Sequence, residues 1–274
     1  MIFLNGRLVP PDEVTIDPAD RGLLLGDGLF ETLRCEAGAA VGLDAHLARM
    51  SEGAAALAIP FSKDDGDLGK AIPMLLKANG LDRGAAALRI TLTRGPGPRG
   101  LLPPESPRPT LMMTAAPLTM IDQPATACIA KVRRNEHSPT SRHKTLGYLD
   151  NILARREAEA QGKDEAILLN TAGRLACATA ANLFLVRGRS LFTPPATEGV
   201  LPGITRAEVI DRGSELDLTV IEASLEKNMI TTCDEIFLTN SLMVVRPLLS
   251  VDGKAIGDGR PGPVTEAVGA ALKS

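Results

Sequence analysis

Ser138 to Gly162, SPTSRHKTLGYLDNILARREAEAQG, sets a lysine at the seam between a Ser/Pro stretch and a helical run. Leu149, Ile152, Leu153 and Ala160 recur at helical spacing, with Arg155, Arg156 and Glu159 among the polar positions. That pattern predicts an amphipathic helix packed through its large apolar residues. Lys144 lies just ahead of the helix, beside Leu146 and Gly147. A solvated surface explains most lysines. A lysine held at the end of an element is also where an enzyme that works through an amine nucleophile keeps it.

Outward from this stretch, 274 residues leave room for one large domain or two modest ones. Hydrophobic residues make up 44% and charged residues 23%, the balance of an ordinary globular chain. A net charge of -3 and the lack of any long Lys/Arg block argue against nucleic acid. Aromatics make up only 3%, with no Trp and Tyr148 the single Tyr, so base stacking is not expected either. No apolar run approaches membrane-spanning length, and MIFLNGRLVP lacks a leader's basic region and cleavage site, so a cytoplasmic protein is expected. Cys35, Cys128, Cys177 and Cys233 are scattered, without a CxxC pair, and imply neither a disulfide framework nor a metal.

IFLNGRLV reads as a hairpin turning at Asn5-Gly6. GLFETLRC with the following EAGAA predicts a second hairpin, and DAHLARMSEGAAALAI a helix with Asp44 as its N-cap. KAIPMLLKANG predicts a helix ending at Gly80, with Pro73 in its first turn or at a kink. AAALRITLTRG and RPTLMMTAAPL predict strands flanking a Pro/Gly loop. The expected organisation is a small N-terminal α/β domain over residues 1–117, a linker over 118–124 and a larger, barrel-like domain over 125–274. That second half carries strands at ACIAKVRR, DEAILLN, LACATAANLFLV, LTVIEASL and DEIFLTNSLMVVRPLLSVDG. Helices are expected near Ile204, at EKNMITTC and at the C-terminus. Meanders with separate helices predict an α+β fold.

Three stretches could hold phosphate. LPGITR places Gly203, Ile204 and Thr205 at a helix start, where unpaired N–H groups and the helix dipole attract anions. TNS (Thr239 to Ser241) ends an apolar strand with amide and hydroxyl groups, and Arg49 in HLARM offers a guanidinium fork. Neither GxxxxGK[ST] nor GxGxxG occurs, so no nucleotide reading is supported. A lysine nucleophile together with an anion cup is the minimum equipment for pyridoxal 5′-phosphate.

With these residues in view, the chain resembles the fold-type IV (class IV) aminotransferases, the group of branched-chain and D-amino acid aminotransferases and aminodeoxychorismate lyases. LLLGDGLFETLR, AHLARM, TRGPGPRG, KTLGYLDNILARREA, DEAILLN, AANLFLV, GVLPGITR, DEIFLTNSL and VDGKAIGDGRPGPVT carry the resemblance in order, end to end. It implies a two-domain fold and a Schiff base of pyridoxal 5′-phosphate on Lys144, which also moves the substrate's Cα proton. It places Arg49, Ile204, Thr205, Asn240 and Ser241 on the cofactor phosphate. Tyr148 falls near the cofactor's phenolic oxygen, although its spacing from Lys144 is one residue short of the branched-chain pattern. Phe30, Arg94 and Arg99 are the implied substrate residues, the two arginines standing in for a carboxylate trap on an overhanging loop. Cys177 stands where the family carries a glutamate against the pyridine nitrogen, and only a thiolate in an electropositive setting would replace that charge. The implied activity is transamination between an amino acid, of D- or branched-chain type, and a 2-oxo acid. Release of pyruvate and 4-aminobenzoate from aminodeoxychorismate is the alternative, and a cofactor-binding protein with weak activity a further one. A homodimer is implied, with loops of one subunit closing the other's site.

Overall fold

The computed structural model describes residues 1–62, 67–121 and 123–273. Asp122, inside the expected linker, and Ser274 lie outside the described residues. Two compact units result: Met1–Thr119 with Lys144–Gly147, and Met120–His143 with Tyr148–Ser274.

In the first unit, β1 (Ile2–Leu4) and β2 (Arg7–Val9) form a hairpin. Its turn residues Asn5 (φ 46°) and Gly6 (φ 91°) are both left-handed, as a tight two-residue turn requires. The short α1 (Arg21–Leu25) leads to β3 (Gly28–Glu36) and β4 (Ala39–Ala40). Then come α2 (Leu43–Ala56), α3 (Leu68–Ala78), β5 (Ala85–Thr93) and β6 (Thr110–Pro117). The strands make one antiparallel sheet in the order β2-β1-β6-β5-β3-β4. Alternation turns Leu29, Leu33, Leu88, Ile90 and Met113 to one face. There they join Leu47, Met50, Ile72 and Leu75 of the two helices in a single core.

Two local expectations change. Asp44 does not cap α2: Gly42 does, in the left-handed region, and Asp44 sits in the first turn, where its charge still favours the helix dipole. Pro73 lies inside α3, because the helix begins at Leu68. One backbone bond is lost there, and the fully buried Leu68, Ile72, Leu75 and Leu76 hold the helix in place.

The second unit begins with β7 (Ala125–Arg134), α4 (Leu149–Ala160), β8 (Glu165–Asn170) and β9 (Arg174–Ala178). β10 (Asn182–Arg187), β11 (Ser190–Thr193), α5 (Ile204–Arg212), β12 (Thr219–Glu222) and β13 (Leu225–Glu226) follow. A 3-10 helix at Lys227–Thr231, β14 (Glu235–Asn240), β15 (Val244–Val251), β16 (Lys254–Ala255) and α6 (Pro263–Ala271) complete it. The sheet runs β12-β11-β10-β14-β15-β7-β8-β9-β13, with β16 on β15. It is parallel at β7–β8, β7–β15 and β11–β12 and antiparallel elsewhere. The whole is α+β, as the meanders imply.

The helix that opens the reading packs the other way round. Leu149 (73% exposed), Ile152 (51%) and Leu153 (50%) look outward. Asn151, Ala154 and Ala158 are the buried face of α4, and both alanines pack with Cys128, Ala130 and Ala166. Small side chains let the helix backbone come close to β7 and β8, so alanine spacing, not leucine spacing, decides which side lies down.

Candidate active site

Lys144 belongs with the first unit because its neighbours act as an extra piece of strand. The Phe30 N–H donates to the Lys144 carbonyl (2.9 Å), the Leu146 N–H donates to the Gly28 carbonyl (3.0 Å), and Thr145 bridges to Leu29. β4 reaches only Cys35 and Glu36, so this end of β3 is open to such pairing. Gly28 makes the approach possible. A Cβ there would lie 2.5 Å from the Leu92 carbonyl oxygen and 2.8 Å from Leu146 Cδ1. The side chain of Lys144 is thereby carried over the ring of Phe30, with Nζ 4.3 Å from the centroid. Arg89 Cζ lies 3.8 Å from the same ring.

Burial and then the charge of Arg49 push the Lys144 amine down from 10.5 to about 8; Glu31 pulls the other way, and Arg89 adds a smaller downward push. At neutral pH this raises the share of unprotonated amine by roughly 300-fold over an ordinary lysine. Arg49, half-buried on α2, is tied to Glu31 on both sides: Nε to Oε1 at 2.8 Å and Nη2 to Oε2 at 2.6 Å. His46 Nδ1 meets Glu31 Oε2 at 2.7 Å.

Arg94 is held inward at the end of β5. It is 6% exposed, and its guanidinium meets both Asp27 oxygens and donates to the Ala58 and Leu57 carbonyls. Asp27 also accepts from Arg21 Nε (2.8 Å). The other Arg21 nitrogens bind the carbonyls of Gly100, Leu101 and Leu102. Two arginines and one aspartate thus fasten the loop after β5, and a substrate carboxylate would have to break that lock to reach Arg94. Arg99 is exposed on the same loop. Arg89 and Glu31 went unnoticed in the sequence. The signal for Glu31 was a charge at a core slot of β3, between Leu29 and Leu33. For Arg89 it was a charge on the opposite face from Leu88 and Ile90.

In the second unit, α5 starts at Ile204 after Gly203, with no side chain capping it. Gly203 is pressed against Asn182, whose Oδ1 would lie 2.0 Å from any Cβ at that position. Asn182 donates from Nδ2 to the Leu201 carbonyl (2.9 Å) and pairs across the sheet with Thr239. Thr239 Oγ1 is fully buried and has no hydrogen-bond partner among the described residues. An uncapped helix start, a glycine cradle and an unanswered hydroxyl on the neighbouring strand suit an anion. Thr205 is buried, and Ile204 and Ser241 are half-buried. Asn240 does not offer its side chain. Its amide donates to the Ala180 carbonyl, and its oxygen accepts from the N–H groups of Leu242 and Met243, which shapes the turn that presents Ser241.

Tyr148 is the N-cap residue of α4 and half-buried. Cys177 is 8% exposed, opposite Leu168 in the β8–β9 pair. Burial pushes its thiol up, Glu165 adds to this, and Arg134 opposes it without winning. Arg134 is committed to the carbonyls of Gly199 (2.9 Å) and Ser141 (2.7 Å). The setting favours a neutral thiol over the thiolate that would mimic a carboxylate. Among the described residues no group of three His, Cys, Asp or Glu could hold a metal, and no helix is long and apolar enough to cross a membrane.

The family model described as amino-transferase class IV matches residues 28–251. The D-alanine aminotransferase of Bacillus licheniformis is 29% identical over all of this chain and 96% of its own. The aminodeoxychorismate lyase of Bacillus subtilis is 28% identical, over 98% of this chain and 92% of its own. Among solved structures, the branched-chain amino acid aminotransferase of Escherichia coli superposes with a TM-score of 0.93 at 28% identity, covering 99% of this chain and 93% of the other.

Proposed function

Since the chain belongs to the class IV aminotransferase family, with its fold-type IV architecture, we propose that it is a pyridoxal 5′-phosphate enzyme. It moves an amino group between an amino acid, of D- or branched-chain type, and a 2-oxo acid. The observation that carries this reading is Lys144, an amine pinned by strand pairing and pushed down to about 8. When bound, the cofactor supplies an electrophilic carbonyl and an electron-accepting ring.

The residues suit that group. Gly203 leaves the start of α5 open, the Ile204 and Thr205 N–H groups and Ser241 would meet its phosphate, and buried Thr239 Oγ1 has no partner among the described residues. Arg49 adds charge, already oriented by Glu31. Lys144 supplies the amine and holds or releases the substrate's Cα proton at Nζ. Phe30 keeps the lysine's surroundings apolar. Arg89, exposed beside Phe30, is the arginine we assign to a substrate carboxylate.

One observation favours the lyase as a second reading. A neutral Cys177, set against the ring nitrogen as the family resemblance implies, would offer a weak donor where a carboxylate would keep the nitrogen protonated; electron withdrawal would then be weaker, and loss of a good leaving group would gain on full proton transfer. A homodimer is part of the proposal. The outward Leu149, Ile152 and Leu153, and the 83% exposed Leu101 and Leu102, are surfaces a second copy would cover. Four buried thiols without a disulfide suit the cytoplasm. Incubation with D- and L-amino acids against pyruvate or 2-oxoglutarate, beside aminodeoxychorismate, tests the assignment. Amino transfer supports the first reading, pyruvate release from aminodeoxychorismate alone the second, and silence in every arm refutes both.

A further inference from the structure

We propose that Glu31 is a positioning residue of the Lys144 site: clamped beneath β3 by His46 and Arg49, it supplies the negative charge that offsets the arginines acting on the lysine. Strand alternation assigns Glu31 to the core side, where an unpaired carboxylate would be costly. Its side chain is 1% exposed, and both oxygens are used, Oε1 by Arg49 and Oε2 by Arg49 and His46. The two partners stand three residues apart on α2, so both reach one point from the same helix face. Burial pushes this carboxyl up, but hydrogen bonds from His46 and Arg49 outweigh it and hold the group below the usual range. Glu31 is therefore ionised at neutral pH.

Joining α2 to β3 does not need this arrangement, because Leu33, Leu47 and Met50 already pack the two together. What the carboxylate adds is charge balance. The charged groups acting on Lys144 are Arg49 from α2, Glu31 from β3 and Arg89 from β5, two cations against one anion. Glu31 fixes the direction of Arg49 and moderates the push that both arginines exert on the amine. Grip on an anion and readiness of the lysine thus become one coupled property.

The inference rests on Lys144 being the reactive amine, and competitive acetylation tests the two ideas separately. The full chain, without cofactor, is labelled with trace acetic anhydride across a pH series, and Lys144 is compared with exposed Lys254 by mass spectrometry. Wild-type Lys144 should show a midpoint near 8. Glu31→Gln should move it to lower pH and raise labelling at neutral pH by about three- to tenfold. Arg49→Met, which removes the stronger of the two cations and leaves Glu31 to His46, should move it to higher pH, and the double variant should fall between the two. If Glu31→Gln does not fold, Arg49→Met alone decides the matter by the direction of its shift. A midpoint unmoved or raised in Glu31→Gln, or unmoved or lowered in Arg49→Met, overturns the proposal. A wild-type midpoint at the ordinary 10.5 would overturn the reading of Lys144 itself.

Discussion

Alanine at position 203 should damage the anion cup more than its single methyl group suggests. Gly203 has φ −73° and ψ 141°, a conformation open to any residue, so backbone strain contributes nothing. The whole effect comes from the clash: the new Cβ lies 2.0 Å from Asn182 Oδ1 and 3.1 Å from its Cγ. To escape, the Asn182 amide must turn and lose its 2.9 Å bond to the Leu201 carbonyl. Otherwise the start of α5 must lift. A lost buried hydrogen bond with an unsatisfied group costs about 1–3 kcal/mol, and overpacking about as much again. A loss of about 2–4 kcal/mol in urea unfolding is expected, with pyridoxal 5′-phosphate affinity down at least tenfold. Asn182→Ala in the same chain should relieve the clash, so that the double variant is more stable than Gly203→Ala alone. A Gly203→Ala variant within about 0.5 kcal/mol of wild type, binding cofactor normally, would refute the packing of α5 against Asn182.

Arg94→Ala strips Asp27 of one partner and leaves two carbonyls unanswered, so unfolding should become easier by about 2–3 kcal/mol in chemical denaturation, and substrate KM should rise mainly through the loosened loop. Leu153→Asp on the outer face of α4 should lower the mass measured by light scattering while leaving the circular dichroism spectrum intact. Cys177→Glu should fold with cofactor bound and change the rate of solvent deuterium exchange at the Cα of a bound amino acid. Aggregation with and without cofactor would instead mark Cys177 as purely a core residue.

Much of this was legible in the residues because local chemistry decides it. Asn5-Gly6 can hardly be anything but a tight turn, and Gly203 before a helical run marks an uncapped start. The inversion of α4 was not legible, since hydrophobicity favours Leu149, Ile152 and Leu153 as the packed side. Close approach to a sheet selects alanine instead, and only the neighbouring strands reveal how near the helix must come. Arg94 reads in the sequence as a stand-in carboxylate trap on an overhanging loop because its partners, Asp27 and the carbonyls of Leu57 and Ala58, lie far off in sequence. Glu31 and Arg89 escaped notice for the same reason. Each acquires meaning only when the Lys144 segment is laid against β3, a pairing between residues more than a hundred positions apart.

The most direct test of Lys144 as the enzyme's amine is capture. Holoprotein is reduced with borohydride, digested, and the residue carrying the added pyridoxyl mass located by tandem mass spectrometry. The mass should sit on Lys144 alone, and Lys144→Ala should lose both the adduct and the visible absorbance while keeping its fold. A reduced adduct on another lysine in the wild-type chain, or one that persists undiminished in Lys144→Ala, would contradict the assignment.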